Sequence, residues 1–211
     1  MKGYYDIEFD AEGILVENGM VEELFYLQDL KQRKLFLNAD VDAMSVSDIV
    51  KHIMQFNRED KMWAIEPKDR RPIILYITSD GGEVDAGFEL IDVIQSSKTP
   101  IYTVNLGYQY SMGFLIGLAG HKRFATRNSK FLMHDGSNFV YNSGAKAQDQ
   151  MKFQSRVEQR IKDYILSRSN VTSEEYDSKL RVEWYLFAEE AKEKGFTDYI
   201  IGVDCDMDEV V

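Results

Sequence analysis

Between Lys34 and Gly120 the chain alternates short apolar runs with amphipathic segments, and this order restricts the fold more than any other feature of the sequence. KLFLNADV (34–41) reads as a short strand ending in a turn. Ser45 opens SVSDIVKHIMQF, where Val46, Ile49, Ile53 and Phe56 fall at helical spacing. PIILYITS (72–79) has the apolar density of a strand covered on both faces. Asp80-Gly81-Gly82 breaks it, EVDAGFELIDVIQSS continues as a helix to Ser97, and PIYTVNLG (100–107) gives a third strand. Strand and helix in this alternation predict an α/β fold with a largely parallel sheet.

Further along, KRFAT and KFLMH read as two short strands joined by the turn RNS. From Gly144 to Ser167 neither glycine nor proline follows the opening glycine, which predicts one long amphipathic helix. Thr172, with Glu175 three residues on, caps another helix. AEEAKEKGFTDYIIG ends the pattern with a helix, a stop at Gly195 and a last strand. Neither a repeat nor a linker divides the chain, so a single domain is expected over 1–211, with an irregular acidic start over 1–33 and a solvated acidic tail over 204–211.

Composition narrows the partners. The 25 basic against 36 acidic residues leave a formal charge of -11, which speaks against nucleic acid or an anionic membrane as the main partner. The one cysteine, Cys205, excludes an intrachain disulfide and fits a reducing compartment. The N-terminus MKGYYDIEFDAEG lacks the apolar core of a signal peptide, and the longest apolar runs fall far below the roughly 18 residues of a membrane span. A soluble, cytoplasmic protein is expected, and the sequence implies no metal or cofactor.

In sheets of this type sites collect at the carboxyl ends of the strands. Two loops there carry chemistry-bearing residues. In Thr78-Ser79-Asp80-Gly81-Gly82 the paired glycines make either a plain tight turn or a place where backbone N–H groups approach a ligand. Ser111-Met112-Gly113 puts a serine at the start of an apolar helix, where it serves either as an N-cap or, with the N–H of Met112 and of Gly82 holding an oxyanion, as a nucleophile. The stretch is not a G-x-S-x-G elbow, since Gly107 lies four residues before the serine. Of the three histidines, His52 falls on a partly exposed helix face and His121 in a turn, whereas His134 ends an apolar strand and is the candidate base.

Taken together, Ser79-x-Gly81-Gly82-x-Val84-x-Ala86-Gly87, Ser111-Met112-Gly113 with the following LAG, Arg123-Phe124-Ala125, Asn128-Ser129 and Met133-His134 resemble the Clp protease proteolytic subunit family. Ser111 follows Gly82 by 29 residues (111 − 82), the separation of that family's pattern, and the likeness spans roughly residues 34 to 201. The resemblance implies a ClpP/crotonase-like spiral of β-β-α units with a protruding handle helix over about 144–169. It implies a serine endopeptidase in which Ser111 is the nucleophile, His134 the general base, and Gly82 and Met112 the oxyanion donors. It further implies homo-oligomers, as a seven-membered ring or stacked double ring, acting on unfolded proteins or peptides beneath a Clp-family ATPase unfoldase.

Lys179 stands where the family carries its third triad member, an aspartate, and lysine cannot accept a hydrogen bond from imidazole. Three outcomes follow: Asp177 or Glu183 replaces the carboxylate, a Ser-His dyad operates at reduced rate, or the subunit assembles without catalysis. An acyl-CoA enzyme of the same broad fold, and a Ser-Lys dyad through a neutral Lys179, stand as further readings. The first 33 residues also depart from the family's usual start, whose residues line the pore and meet the unfoldase.

Overall fold

The computed structural model describes residues 21–136 and 143–211. The chain enters through helix α1 (Val21–Lys31) and strand β1 (Lys34–Leu37), followed by α2 (Ala43–Met62), β2 (Ile73–Ser79), α3 (Val84–Ser96), β3 (Ile101–Tyr110) and α4 (Met112–Leu118). Strands β4 (Lys122–Thr126) and β5 (Lys130–Met133) lead to the long helix α5 (Ala145–Arg168), then α6 (Ser173–Lys179), β6 (Trp184–Phe187), α7 (Ala188–Glu193) and β7 (Tyr199–Ile201). All but one of the strand pairings are parallel, as expected, the exception being β5 with β6.

The sheet runs β1-β2-β3-β4-β7, and β3 forks. Its first half pairs with β4, Tyr102 to Asn105 against Lys122 to Ala125, and its last residues, Tyr108 to Tyr110, pair with β5 at Lys130 to Leu132. The turn at Arg127-Asn128-Ser129 therefore carries the chain from one partner position on β3 to the next and does not close a hairpin. Buried polar groups hold the fork. Ser129 Oγ donates to Asn105 O at 2.7 Å, and Asn105 Nδ2 donates to Lys130 O at 2.9 Å. In the buried interior these bonds fix where β5 begins, and hence where it ends.

Strand β2 is buried at Ile73, Ile74, Leu75, Tyr76, Ile77 and Ser79, as its unbroken apolar run predicts. Helices α2, α3 and α4 cover one face of the sheet, with Val46, Ile53, Phe56, Leu90, Ile94, Phe114 and Ile116 in one core. Each such side chain contributes on the order of 1.5–3 kcal/mol by leaving water.

Several expectations change in detail. Helix α2 starts before Ser45, because Asp42 is the cap: its carboxylate accepts from Met44 N and Ser45 N, and Ser45 Oγ closes the capping box. The acidic start contains α1, which buries Leu30 alone, while residues 1–20 of the expected irregular segment lie outside the described residues. Strand β3 continues through Tyr110, and WYLF, a run too short to announce itself in the sequence, forms β6. The tail does not run free. Val210 is 1% exposed, in a second cluster on the other face of the sheet with Ile74, Tyr76, Val104, Phe124 and Ile201, and the Tyr76 hydroxyl donates to its carbonyl. The apolar side of a tail that reads as acidic thus finds an uncovered sheet face.

Helix α5 follows its expected span and leaves most of its length uncovered. Only Ile165 is fully buried, while Met151 and Phe153 are exposed. No described helix is long and apolar enough to cross a membrane.

Candidate active site

Parallel neighbours β3 and β5 end side by side, so their carboxyl ends deliver Ser111 and His134 to the same edge of the sheet. Tyr110 pairs with Leu132, and Ser111 N donates to Leu132 O at 3.0 Å, two residues before His134. Ser111 occupies the N-cap position of α4, yet its side chain caps nothing. Its backbone sits at φ 51°, ψ −118°, a conformation that costs a residue with a Cβ on the order of 1–3 kcal/mol. A capping serine has an extended backbone and an oxygen turned onto the helix. Here the backbone is not extended and the Ser111 side chain makes no capping hydrogen bond. Such a strained strand-to-helix turn is the geometry of a nucleophile elbow, reached without the G-x-S-x-G spacing.

The glycine loop is built against that turn. Gly81 (φ 103°) packs so closely that a Cβ there would stand 2.8 Å from Ser111 Cβ and 2.9 Å from Met112 N. Ser79 Oγ accepts from Gly81 N at 3.1 Å and holds the loop in place. Val41 makes a parallel bridge to Gly82, using Gly81 O and Glu83 N as bonding partners. In such a bridge the central residue's own N–H and C=O point to the opposite side, so Gly82 presents its N–H away from Val41. Met112 supplies the first helical N–H of α4, and its side chain fills the space left by Gly87, where a Cβ would lie 2.2 Å from Sδ.

His134 is 26% exposed and lies on the wall of a cavity of about 390 Å³ between α5 and α6, lined also by Ile161, Lys162, Tyr176, Asp177 and Leu180. Its Nδ1 stands 3.2 Å from Glu183 Oε1. Asp177, the other candidate carboxylate, turns to Lys162 Nζ at 2.6 Å, and Lys179 Nζ lies 5.2 Å from the centre of the Trp184 ring.

The other two histidines have structural partners. His121 Nδ1 accepts from Ile101 N at 3.0 Å, and burial lowers its pKa. His52 lies on a partly exposed helix face, as its place on the helix predicts, with 16% of its side chain exposed; its Nε2 lies 2.9 Å from the Tyr26 hydroxyl, and burial likewise lowers its pKa. A larger cavity, about 660 Å³, opens at the amino ends of β4 and β7 among His121, Arg123, Arg168 and Lys192. Arg123 pairs with Asp198, Lys192 with Asp204, and Arg168 donates to the carbonyls of Leu118 and Gly120.

Comparison with known proteins gives this arrangement a family. The Clp protease family pattern matches residues 18–204. The chain belongs to the Clp protease family. Among curated Clp relatives it is 26% identical over 189 residues to the ATP-dependent Clp protease proteolytic subunit 2 of Treponema pallidum (strain Nichols), covering 88% of this chain and 90% of that one. It is 30% identical over 177 residues to the ATP-dependent Clp protease proteolytic subunit 1 of Chlamydia pneumoniae, covering 82% and 88%. Clp membership makes it a serine-type peptidase subunit, as the sequence motifs imply. The sequence pointed to Ser111, His134, Gly82 and Met112 and to Glu183 as one of two displaced carboxylates; it gave no sign of Ser79 as the anchor of the glycine loop beyond its place in the motif.

Proposed function

We propose that the chain cleaves peptide bonds with Ser111 as nucleophile and His134 as general base. The observation that carries this reading is the Ser111 backbone, strained and non-capping at the head of α4, beside the strand that His134 directly follows. Ser111 Oγ attacks the scissile carbonyl carbon while His134 takes its proton. The carbonyl oxygen becomes an oxyanion, held by the N–H groups of Gly82 and Met112. As the tetrahedral species collapses, the C–N bond breaks, His134 returns its proton to the leaving amine, and an acyl-serine ester remains. Water then attacks the ester with His134 again as base, releasing the acid and restoring Ser111.

The substrates in this reading are unfolded proteins or peptides in the cytoplasm. The subunits form a homo-oligomeric ring, seven-membered or a stacked double ring. The uncovered length of α5, with Met151 and Phe153 outward, supports contact with another copy. The relatives are named as ATP-dependent, which supports a Clp-family ATPase as the partner that feeds the ring.

Hydrolysis of fluorogenic peptides by the full chain, with light scattering to follow assembly, tests this. Wild type turns over and Ser111→Ala loses at least about 10³-fold in kcat while assembling normally. Unchanged turnover in Ser111→Ala would remove the assignment.

A further inference from the structure

We propose that Glu183 is the positioning residue for His134, taking the part of the aspartate that the Clp pattern places at Lys179. The inference rests on the reading of Ser111 and His134 given above. It follows first from register. Strands β5 and β6 are antiparallel with Met133 opposite Trp184, so one further rung sets His134 opposite Glu183. The ladder thus delivers a carboxylate to the imidazole from a neighbouring strand, whereas the pattern's aspartate comes from the segment before it. The side chains complete what the register begins, with Nδ1 and Oε1 3.2 Å apart, at the long end of hydrogen-bond range.

The competing groups are otherwise engaged. Asp177 is ion-paired to Lys162 at 2.6 Å. Lys179, the last residue of α6, has its ammonium over the Trp184 ring. Trp184 therefore has two consequences: its backbone fixes the rung that presents Glu183, and its ring holds the cation beside its own face by cation–π attraction.

Chemically, Glu183 accepts the Nδ1–H of His134. This leaves Nε2 unprotonated as the base for Ser111 Oγ and lowers the energy of the imidazolium formed during acyl transfer. The pair is partly open to water, Glu183 being 55% exposed, so its effect is smaller than the roughly 10⁴-fold of a buried aspartate in the serine-protease template. Glu183→Gln is expected to lower kcat by about 10- to 100-fold with KM unchanged, since the contact is to the base and not to substrate. Glu183→Asp keeps the carboxylate and recovers part of the loss. Lys179→Asp, tested in the wild-type chain, leaves kcat within about threefold because Glu183 already serves.

The experiment is steady-state kinetics of these three variants on a fluorogenic peptide, alongside Ser111→Ala, with light scattering to establish equal assembly. A selective fall in kcat for Glu183→Gln with recovery in Glu183→Asp supports the proposal. Unchanged kcat in Glu183→Gln overturns it, as does a large gain in Lys179→Asp. Turnover persisting in Ser111→Ala is a separate outcome, which would remove the underlying assignment and not the carboxylate alone.

Discussion

Gly81 lies so close to Ser111 that a Cβ on the glycine would stand 2.8 Å from the Cβ of the serine. The same hypothetical atom would press on Met112 N and Tyr110 O at 2.9 Å, and Gly81 has φ 103°, where a residue with a side chain is strained. Gly81→Ala must therefore displace the loop or the Ser111 turn. We expect a stability loss of about 1–3 kcal/mol and a fall in labelling by a fluorophosphonate that exceeds any effect of unfolding. Denaturant melts and labelling rates at one temperature check both.

Asp60 anchors α1's exit to the core. Its side chain is fully buried, accepts from Arg33 Nη2 at 2.6 Å and Nη1 at 2.9 Å, and takes the Thr99 hydroxyl at 2.6 Å. Burial raises its pKa, but the Arg33 and Thr99 hydrogen bonds and the charges of Arg33 and Arg70 outweigh that and leave it lowered. Asp60→Ala strands the Arg33 guanidinium and is expected to cost about 3–5 kcal/mol in chemical denaturation.

Two histidines set a pH dependence of stability. Burial lowers the pKa of both His52 and His121 below the ordinary histidine value of about 6.5. A depressed folded pKa means that the unfolded chain binds the proton first, so the stability is present above pH 6.5 and is lost as the pH falls through the folded values. Each group contributes a slope of up to about 1.4 kcal/mol per pH unit in that window. The melting temperature should fall between pH 7.5 and 5.5, and less steeply in His121→Gln, as calorimetry would show.

The tail contributes to the fold. Val210 is buried against Tyr76, Val104 and Phe124, and Asp204 accepts from Ile200 N at 2.7 Å and pairs with Lys192 at 2.5 Å. Val210→Ala is expected to destabilise by about 1–3 kcal/mol and to raise binding of a hydrophobic dye. An unchanged melting curve would show that the tail is not part of the folded unit.

What the sequence made legible depended on local signals. The unbroken apolar run of β2, the glycine pair and the serine at a strand-helix junction all act within a few residues, and the pattern over Gly82, Ser111 and His134 is read along the chain. What stayed hidden depends on distant partners. Helix α1 buries Leu30 alone, so its apolar periodicity is weak. Strand β6 has its edge residues Tyr185 and Phe187 exposed, and becomes a strand only by pairing with β5. For the same reason Glu183 and Asp177 were equal candidates on paper, because the choice between them rests on the β5–β6 register and on the ion pair that Asp177 makes with Lys162. The strain at Ser111 also lies beyond local propensity, since its tight turn is imposed by the bond to Leu132 and the packing of Gly81.

The central claim is that Ser111 is the nucleophile, and intact-mass analysis after treatment with diisopropyl fluorophosphate tests it most directly. The account predicts one adduct per chain in the wild type, mapped by peptide digestion to the segment holding Ser111, and none in Ser111→Ala under the same conditions. A folded, assembled wild type that takes no label, or an adduct that persists in Ser111→Ala, would contradict it.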